Sequence, residues 1–244
     1  MGVGVITAMI TIRNDGTIEP LGLKILRESK LQLTAPTRDI KDSSDEFDGE
    51  IDFGAELKSG HWMLVGITDE GLNAMQKMQV RRNIAKQLDD LRQSGDHLKY
   101  ESDPDKKIFV TLNGRAEVEE YPTWLKVHIP LNVNPFWESE VEKQFTGSGI
   151  ITNEGTLDTP LIVEVRGLIT DPEVTVGGKT LKYTGTLTAM DTLTINAEHG
   201  TVTFSGVNAL KYYEGGFPVL PIGETPVIAA SGGITTFRWR ERFI

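Results

Sequence analysis

Leu161-Ile162-Val163-Glu164-Val165-Arg166 sets the class of the second half of this chain. Leu161, Val163 and Val165 fall on one side and Glu164 and Arg166 on the other, the period of two that marks a strand with one buried face. The same alternation recurs where Leu193 and Ile195 interleave with Thr192, Thr194 and Asn196, and where Val202 and Phe204 follow Thr201 and Thr203. Between Val174-Val176 and Leu181-Tyr183, Gly177-Gly178 offers the positive-φ residues that a two-residue hairpin loop requires. From Gly155 to Ile244 there are 12 of the chain's 25 glycines and no helical period. A compact all-β sandwich is expected there.

The last strand of that sandwich is the most regular. Phe237, Trp239 and Phe243 lie on one side of Phe237–Ile244, and Arg238, Arg240 and Arg242 on the other. The aromatic side should pin the C-terminus into the core. The arginine row is either a solvated face or a basic ridge for an acidic partner surface, with region 38–52 of a neighbouring copy as one candidate.

Working back toward the N-terminus, the pattern becomes mixed. Leu125, Val127, Ile129 and Leu131 alternate with Lys126, His128 and Pro130, which predicts a strand, with Pro130 suggesting an edge. Leu98–Tyr100 and Ile108–Leu112 flank Asp103-Pro104-Asp105 as a hairpin with its turn at those three residues. One helix is predicted over about 69–93. Val80, Ile84, Leu88 and Leu91 form its apolar stripe, extended by Leu72 and Met75, with Thr68 or Asp69 as its cap and Gly95 at its end. Val5–Ile12 and Leu21–Leu33 read as strands around a turn at Asn14-Asp15-Gly16. The expected organisation is a β domain with one helix over 1–136, a polar linker over 137–153, and the β-sandwich over 154–244.

Composition narrows the functions. The 244 residues carry 25 Lys plus Arg against 35 Asp plus Glu, a net charge of −10 that argues against a surface built to coat nucleic acid. The absence of cysteine removes disulfides, thiolate nucleophiles and Cys-ligated metals together. Neither a signal peptide nor a membrane span is expected, so folding in a cytoplasm is. The acidic excess concentrates in Arg38–Asp52, where seven acids face two bases, and predicts an exposed acidic loop or hairpin.

No segment presents a convincing reactive centre. Ser43–Gly49 resembles a calcium loop, but aligning Gly49 on the sixth position puts Ser44 first and Ala55 twelfth, so a solvated loop is expected. His61, His97, His128 and His199 show no metal-binding spacing and accompany no nucleophile elbow. Asp52-Phe53-Gly54 matches a kinase signature by letters alone, since no phosphate-binding glycine loop occurs. Glu119-Glu120 and Asp89-Asp90 are neighbours in hydrophilic surroundings, where both members of a pair stay ionised instead of splitting their pKa values as a glycosidase requires. Trp62, Trp124, Trp137 and Trp239 are expected to pack, although an exposed ring would suit a sugar. No catalytic, cofactor-binding or metal-binding residue is assigned, no cofactor is called for, and no enzyme activity is expected.

The arrangement as a whole resembles the distal tail protein of long-tailed, non-contractile bacteriophages. Most of the similarity lies in Asn153-Glu154-Gly155, Thr159-Pro160 before a strand ending at Gly167, Asp191-Thr192-Leu193-Thr194-Ile195, Phe217-Pro218-Val219-Leu220-Pro221-Ile222-Gly223 and the closing Phe237–Phe243 strand. In the first half, Gly49–Gly66 followed by the helix is similar to the family's opening domain. The resemblance implies a mainly β protein: an N-terminal β-sandwich-like domain with one α-helix and a projecting hairpin, then a galectin-like β-sandwich. It also implies a structural hub at the virion tail tip. There the N-terminal domains form a homo-oligomeric, hexameric ring that joins the tail-tube protein to the tail-associated fibre or lysin hub protein. DNA transits the channel without being specifically bound, no membrane is involved, and assembly takes place in the bacterial cytoplasm. The alternatives from other classes are a lectin-like adhesion module and a cell-wall hydrolase.

Overall fold

The computed structural model describes residues 10–31, 37–42, 50–56 and 59–244. The chain divides into two compact units, Met1–Trp137 and Glu138–Ile244. The protein is mainly β with one helix, as the alternation and the single long apolar stripe require.

In the first unit, β1 (Ile10–Ile12), β2 (Thr17–Glu19), β3 (Leu23–Ile25), β4 (Thr37–Asp42), β5 (Glu50–Glu56) and β6 (Gly60–Ile67) precede α1 (Ala74–Ser94). After it come β7 (Asp96–Tyr100), β8 (Asp103–Leu112), β9 (Glu117–Glu120) and β10 (Leu125–Val133). The strands pair in the order β8-β7-β1-β2-β3-β6-β10, and a further β8–β10 pairing closes that ladder on itself. Leu131, Asn132 and Val133 of β10 face Leu112, Thr111 and Val110 of β8. Every link is antiparallel except β1–β7, where Ile10–Ile12 run beside Leu98–Tyr100. Closure consumes sheet edges that would otherwise remain open to association. Ile18, Leu23, Leu98, Ile108 and Leu131 are fully buried in this unit's core together with Ile84, Leu88 and Leu91 of α1. Each such side chain contributes about 2 kcal/mol of apolar transfer energy.

Three local expectations change here. First, α1 starts five residues later than the predicted 69, because Asn73 caps it. The Asn73 side chain accepts from Gln76 N at 2.9 Å and the Gln76 side chain accepts from Asn73 N at 2.9 Å, a reciprocal capping box. Thr68 instead is buried and accepts from Leu125 N, while Met75 is solvent-exposed and buried Lys77 takes its place on the inner stripe. Second, the β7–β8 turn lies at Glu101–Ser102, with Tyr100 opposite Asp103, so Asp103-Pro104-Asp105 belongs to a strand. Third, β10 is not an edge. β6 pairs with it from Lys126 to Val133, while β9 covers Leu125–His128 and β8 covers Leu131–Val133 on the other side. Pro130 O accepts from Asn113 N, so its backbone faces the gap between β8 and β9, where the missing N–H breaks no ladder bond.

Strands β4 and β5 form an antiparallel ribbon that joins no other sheet among the described residues, from Thr37 opposite Glu56 to Asp42 opposite Glu50. Its register skips between Arg38 and Ile40, which face Ala55 and Asp52, so Phe53 and Gly54 occupy a bulge. The acidic 38–52 segment is thus a hairpin in its described strands. The calcium-like stretch Ser43–Gly49 lies outside the described residues, as do Val5–Met9.

The second unit is a two-sheet sandwich. One sheet runs Lys143–Thr146, Ile234–Trp239, Ile162–Arg166, Thr192–Asn196, Thr201–Phe204, Val207–Asn208; the other runs Gly149–Asn153, Gly223–Ile228, Glu173–Val176, Lys179–Tyr183, Tyr213–Glu214. Leu161, Val163, Val165, Leu193, Ile195, Val202 and Phe237 are buried between them, the positions that alternation selects. Gly177 and Gly178, at φ 54° and 80°, make the predicted two-residue loop with Val176 opposite Lys179. Residues 137–153, expected as a linker, instead contribute strands: Lys143–Thr146 pairs with Ile234–Trp239, and Gly149–Asn153 with Gly223–Ile228. Thr146 and Thr152 face solvent, Glu138, Glu140 and Glu142 are half-buried, and Ile151 and Asn153 are buried, a short two-residue period over 150–153 that polar composition masks.

Candidate functional site

The histidines and carboxylate pairs do not converge. His61 lies 2.8 Å from Asn132 Oδ1, His97 packs edge-on to Phe109, and His128 Nε2 sits 3.0 Å from Glu119 Oε1. His199 belongs to the other unit, its backbone N–H donating to Asn196. Glu119 is held below the usual carboxylate range, first by the Tyr121 hydroxyl and then by His128. Glu120 is held down chiefly by the Lys77 ammonium at 2.7 Å and by Arg81 at 2.6 Å. Two neighbours pushed the same way cannot divide into acid and base. Asp89 accepts from Gln93 one turn along the helix. Among the described residues no three His, Asp or Glu are placed to hold a metal ion, and no helix is long and apolar enough to cross a membrane.

The four tryptophans pack. Trp62 and Trp239 are buried, Trp137 lies against Trp62 and Tyr100 with ring centroids 6.1 and 5.7 Å away, and Trp124 stacks on Tyr121 at 3.8 Å.

The arginine row is neither a solvated face nor a free ridge. Arg238 pairs with Glu164 at 2.6 Å and Glu142 at 3.3 Å, and Arg242 with Glu138 at 3.2 Å and Glu198 at 3.1 Å. Arg240 donates to the carbonyls of Ser139 and Glu140. The acids lie 40 to about 100 residues away in sequence, so the alternation reveals the row without revealing its partners.

Sequence reasoning passed over the residue between the aromatics. Glu241 continues the inward row after Phe237 and Trp239, is 6% exposed, and interrupts the strand. Its Oε1 accepts from Lys143 Nζ at 2.6 Å and Glu154 N at 2.9 Å, while its own N–H donates to Ser139 Oγ. Lys143 also pairs with Glu154 at 2.5 Å. Asn153, 1% exposed, accepts from Gly155 N and donates to the carbonyls of Leu157 and Leu220. Thr156 N and Leu157 N then both donate to Arg242 O, and Thr159 Oγ1 donates to Arg240 O. Asn153-Glu154-Gly155 is therefore the socket of the C-terminal strand, a structural site that holds the sandwich closed.

Residues 154–243 match the family model for the siphovirus-type tail component, C-terminal domain. No match is found among curated proteins. Among solved structures, the chain is similar to the SPP1 Dit (gp 19.1) protein, described as a paradigm of the hub adsorption apparatus in Gram-positive infecting phages. The TM-score is 0.70 at 12% identity, over 97% of this chain and 98% of that one. A component of the phage P2 baseplate in its activated conformation with calcium aligns at a TM-score of 0.49 and 8% identity, over 90% of each chain. The chain thus shares the fold of the SPP1 Dit protein, and its residues 154–243 are similar to the siphovirus-type tail component, C-terminal domain.

Proposed function

We propose that this protein is the structural hub of a bacteriophage tail tip. It forms a hexameric ring that connects the tail tube to the tail-associated fibre or lysin apparatus and lets DNA pass through its channel. The observation that carries this is the tail-component domain at 154–243 within a chain that shares the SPP1 Dit fold over nearly its full length. The molecule works by fitting to copies of itself and to its neighbours, with no reaction to perform. A cysteine-free chain assembles in the bacterial cytoplasm without oxidation, and a net charge of −10 disfavours adhesion of the passing DNA by like-charge repulsion. Ring closure requires heterologous, head-to-tail contacts, for which the β4–β5 ribbon is the natural donor because a two-stranded ribbon alone is marginal in water.

Light scattering together with negative-stain imaging, with and without the tail-tube protein, tests the proposal. A six-fold ring with a central hole is expected; a chain that stays monomeric in the presence of that protein sinks it.

A further inference from the structure

Asn113-Gly114 is the only Asn-Gly pair in the sequence, and it opens the connection from β8 to β9. Both residues are exposed. Gly114 sits at φ 87° with no described atom within 4 Å of where a Cβ would be, so no side chain screens its amide nitrogen from the Asn113 carboxamide. Asn113 N donates to Pro130 O, which fixes the residue one step beyond Leu112, the last β8 residue paired with β10.

The carboxamide meets a histidine. Asn113 Nδ2 lies 3.3 Å from His61 Nδ1, and the same Nδ1 lies 2.8 Å from Asn132 Oδ1, His61 and Asn132 being direct partners across β6 and β10. A carboxamide oxygen can only accept, so Nδ1 carries the hydrogen and Asn132 holds the ring in that tautomer. An amide nitrogen is donor-only, so the Asn113 contact is mismatched in the resting state. It turns favourable when that nitrogen becomes an amine.

We propose that Asn113-Gly114 is a self-modification site at which His61 acts as general acid. Gly114 N gives its proton to water and bonds to Asn113 Cγ, and the resulting tetrahedral centre breaks its Cγ–Nδ2 bond. Nδ2 leaves as ammonia, with the third hydrogen supplied by His61 Nδ1, which regains one from water. Water then opens the cyclic imide at either carbonyl, leaving an aspartyl or isoaspartyl residue at position 113. The donor faces an acceptor only in the intermediate, an arrangement that lowers the barrier without stabilising the reactant. The isoaspartyl product adds a carbon to the backbone just after Leu112, so the closure of the first unit's ladder carries a chemical clock.

Full-length chain aged at neutral pH, then mapped by tryptic digestion with mass spectrometry and isoaspartyl methyltransferase labelling, tests this. The peptide Ile108–Arg115 should gain acid and isoaspartyl forms ahead of every other Asn-bearing peptide. His61→Gln, at an exposed position, removes the acid and should slow conversion by about tenfold or more. Asn132→Val, which frees the tautomer, should slow it less. Both differences should vanish in urea, where local sequence alone sets the rate. Conversion that is absent at Asn113, or equally fast in folded wild-type and His61→Gln chains, overturns the proposal. A His61→Gln deficit that persists in urea overturns it too, because the acid would then owe nothing to the fold.

Discussion

Lys143 Nζ lies 2.6 Å from Glu241 Oε1, joining the first strand of the second unit to the last segment of the chain across 98 residues of sequence. Glu241 is nearly excluded from water, so its carboxylate depends on Lys143 and on the Glu154 N–H for what solvent would otherwise give. Replacing Lys143 by Met leaves the carboxylate short of a partner and should cost about 2–3 kcal/mol. Glu241→Gln keeps an acceptor and should cost about half as much. Urea denaturation of the full chain, followed by Trp fluorescence, checks the order; equal losses for the two variants contradict it.

Gly155 carries a second, independent prediction about the same socket. A Cβ there would lie 2.5 Å from Arg242 O, a backbone atom with no flexible side chain to yield. Gly155→Ala should therefore displace the C-terminal segment and destabilise the unit by about 2–3 kcal/mol. The mark of displacement, as opposed to general unfolding, is faster hydrogen exchange at Thr156 and Leu157, whose N–H groups both donate to Arg242 O.

Truncation before Phe237 removes a fully buried ring, Trp239 and the half of the Ile234–Trp239 strand that faces Lys143–Phe145 and Ile162–Val163. The second unit should lose its cooperative melt altogether. A truncated chain retaining that transition would contradict the pinned C-terminus.

The second unit was the more legible half. Its strands are short and amphipathic, so Val163, Val165, Leu193 and Ile195 declare their faces by neighbouring residues alone. What alternation cannot give is anything set by distant partners. The partners of Arg238 are hidden because Glu164 lies 74 residues away, and Glu241 gives no local signal because Lys143 lies 98 residues away. The strands Lys143–Thr146 and Gly149–Asn153 were hidden by the same cause, since their polar composition resembles a linker until their partners are known. The closure of the first unit's ladder depends on β10 pairing with β8 over three residues, which no local pattern encodes. The contact of His61 with Asn113 likewise joins β6 to the β8–β9 connection. In contrast, the capping box was present in the letters as Asn73 and Gln76 and was outcompeted by the earlier Thr68 and Asp69.

Helix capping gives a discriminating pair of substitutions. Asn73→Ala removes the acceptor for Gln76 N and should destabilise the first unit by about 1 kcal/mol. Asp69→Ala, outside the helix and exposed, should change stability by no more than a few tenths of that. Thermal melts of the two variants distinguish the observed cap from the position that sequence favoured.

The pH profile of stability follows from groups whose environments pull in opposite directions. The Lys143 hydrogen bond holds the Glu154 carboxyl below its usual range, so that contribution is present above about pH 4.3 and is lost as pH falls through the folded value. Burial pulls Lys143 down, but its hydrogen bonds to Glu154 and Glu241 outweigh burial and leave it raised. Its contribution is therefore complete below about pH 10.4 and lost as pH rises through the higher folded value. Tyr213 is pushed up to about 12 by burial, with its hydroxyl donating to Gly216 O at 2.7 Å. The unfolded chain ionises this phenol near pH 10, so stability drains between about pH 10 and the folded value as the unfolded state alone sheds its proton. Melting temperature should accordingly be flat from about pH 5 to 10 and fall on both sides, with a shallower alkaline fall in Tyr213→Phe. Ultraviolet titration of the phenolate band should show one tyrosine lagging behind the rest near pH 12 and missing from that variant. A wild-type profile whose alkaline limb is unchanged by the substitution would contradict the role given to Tyr213.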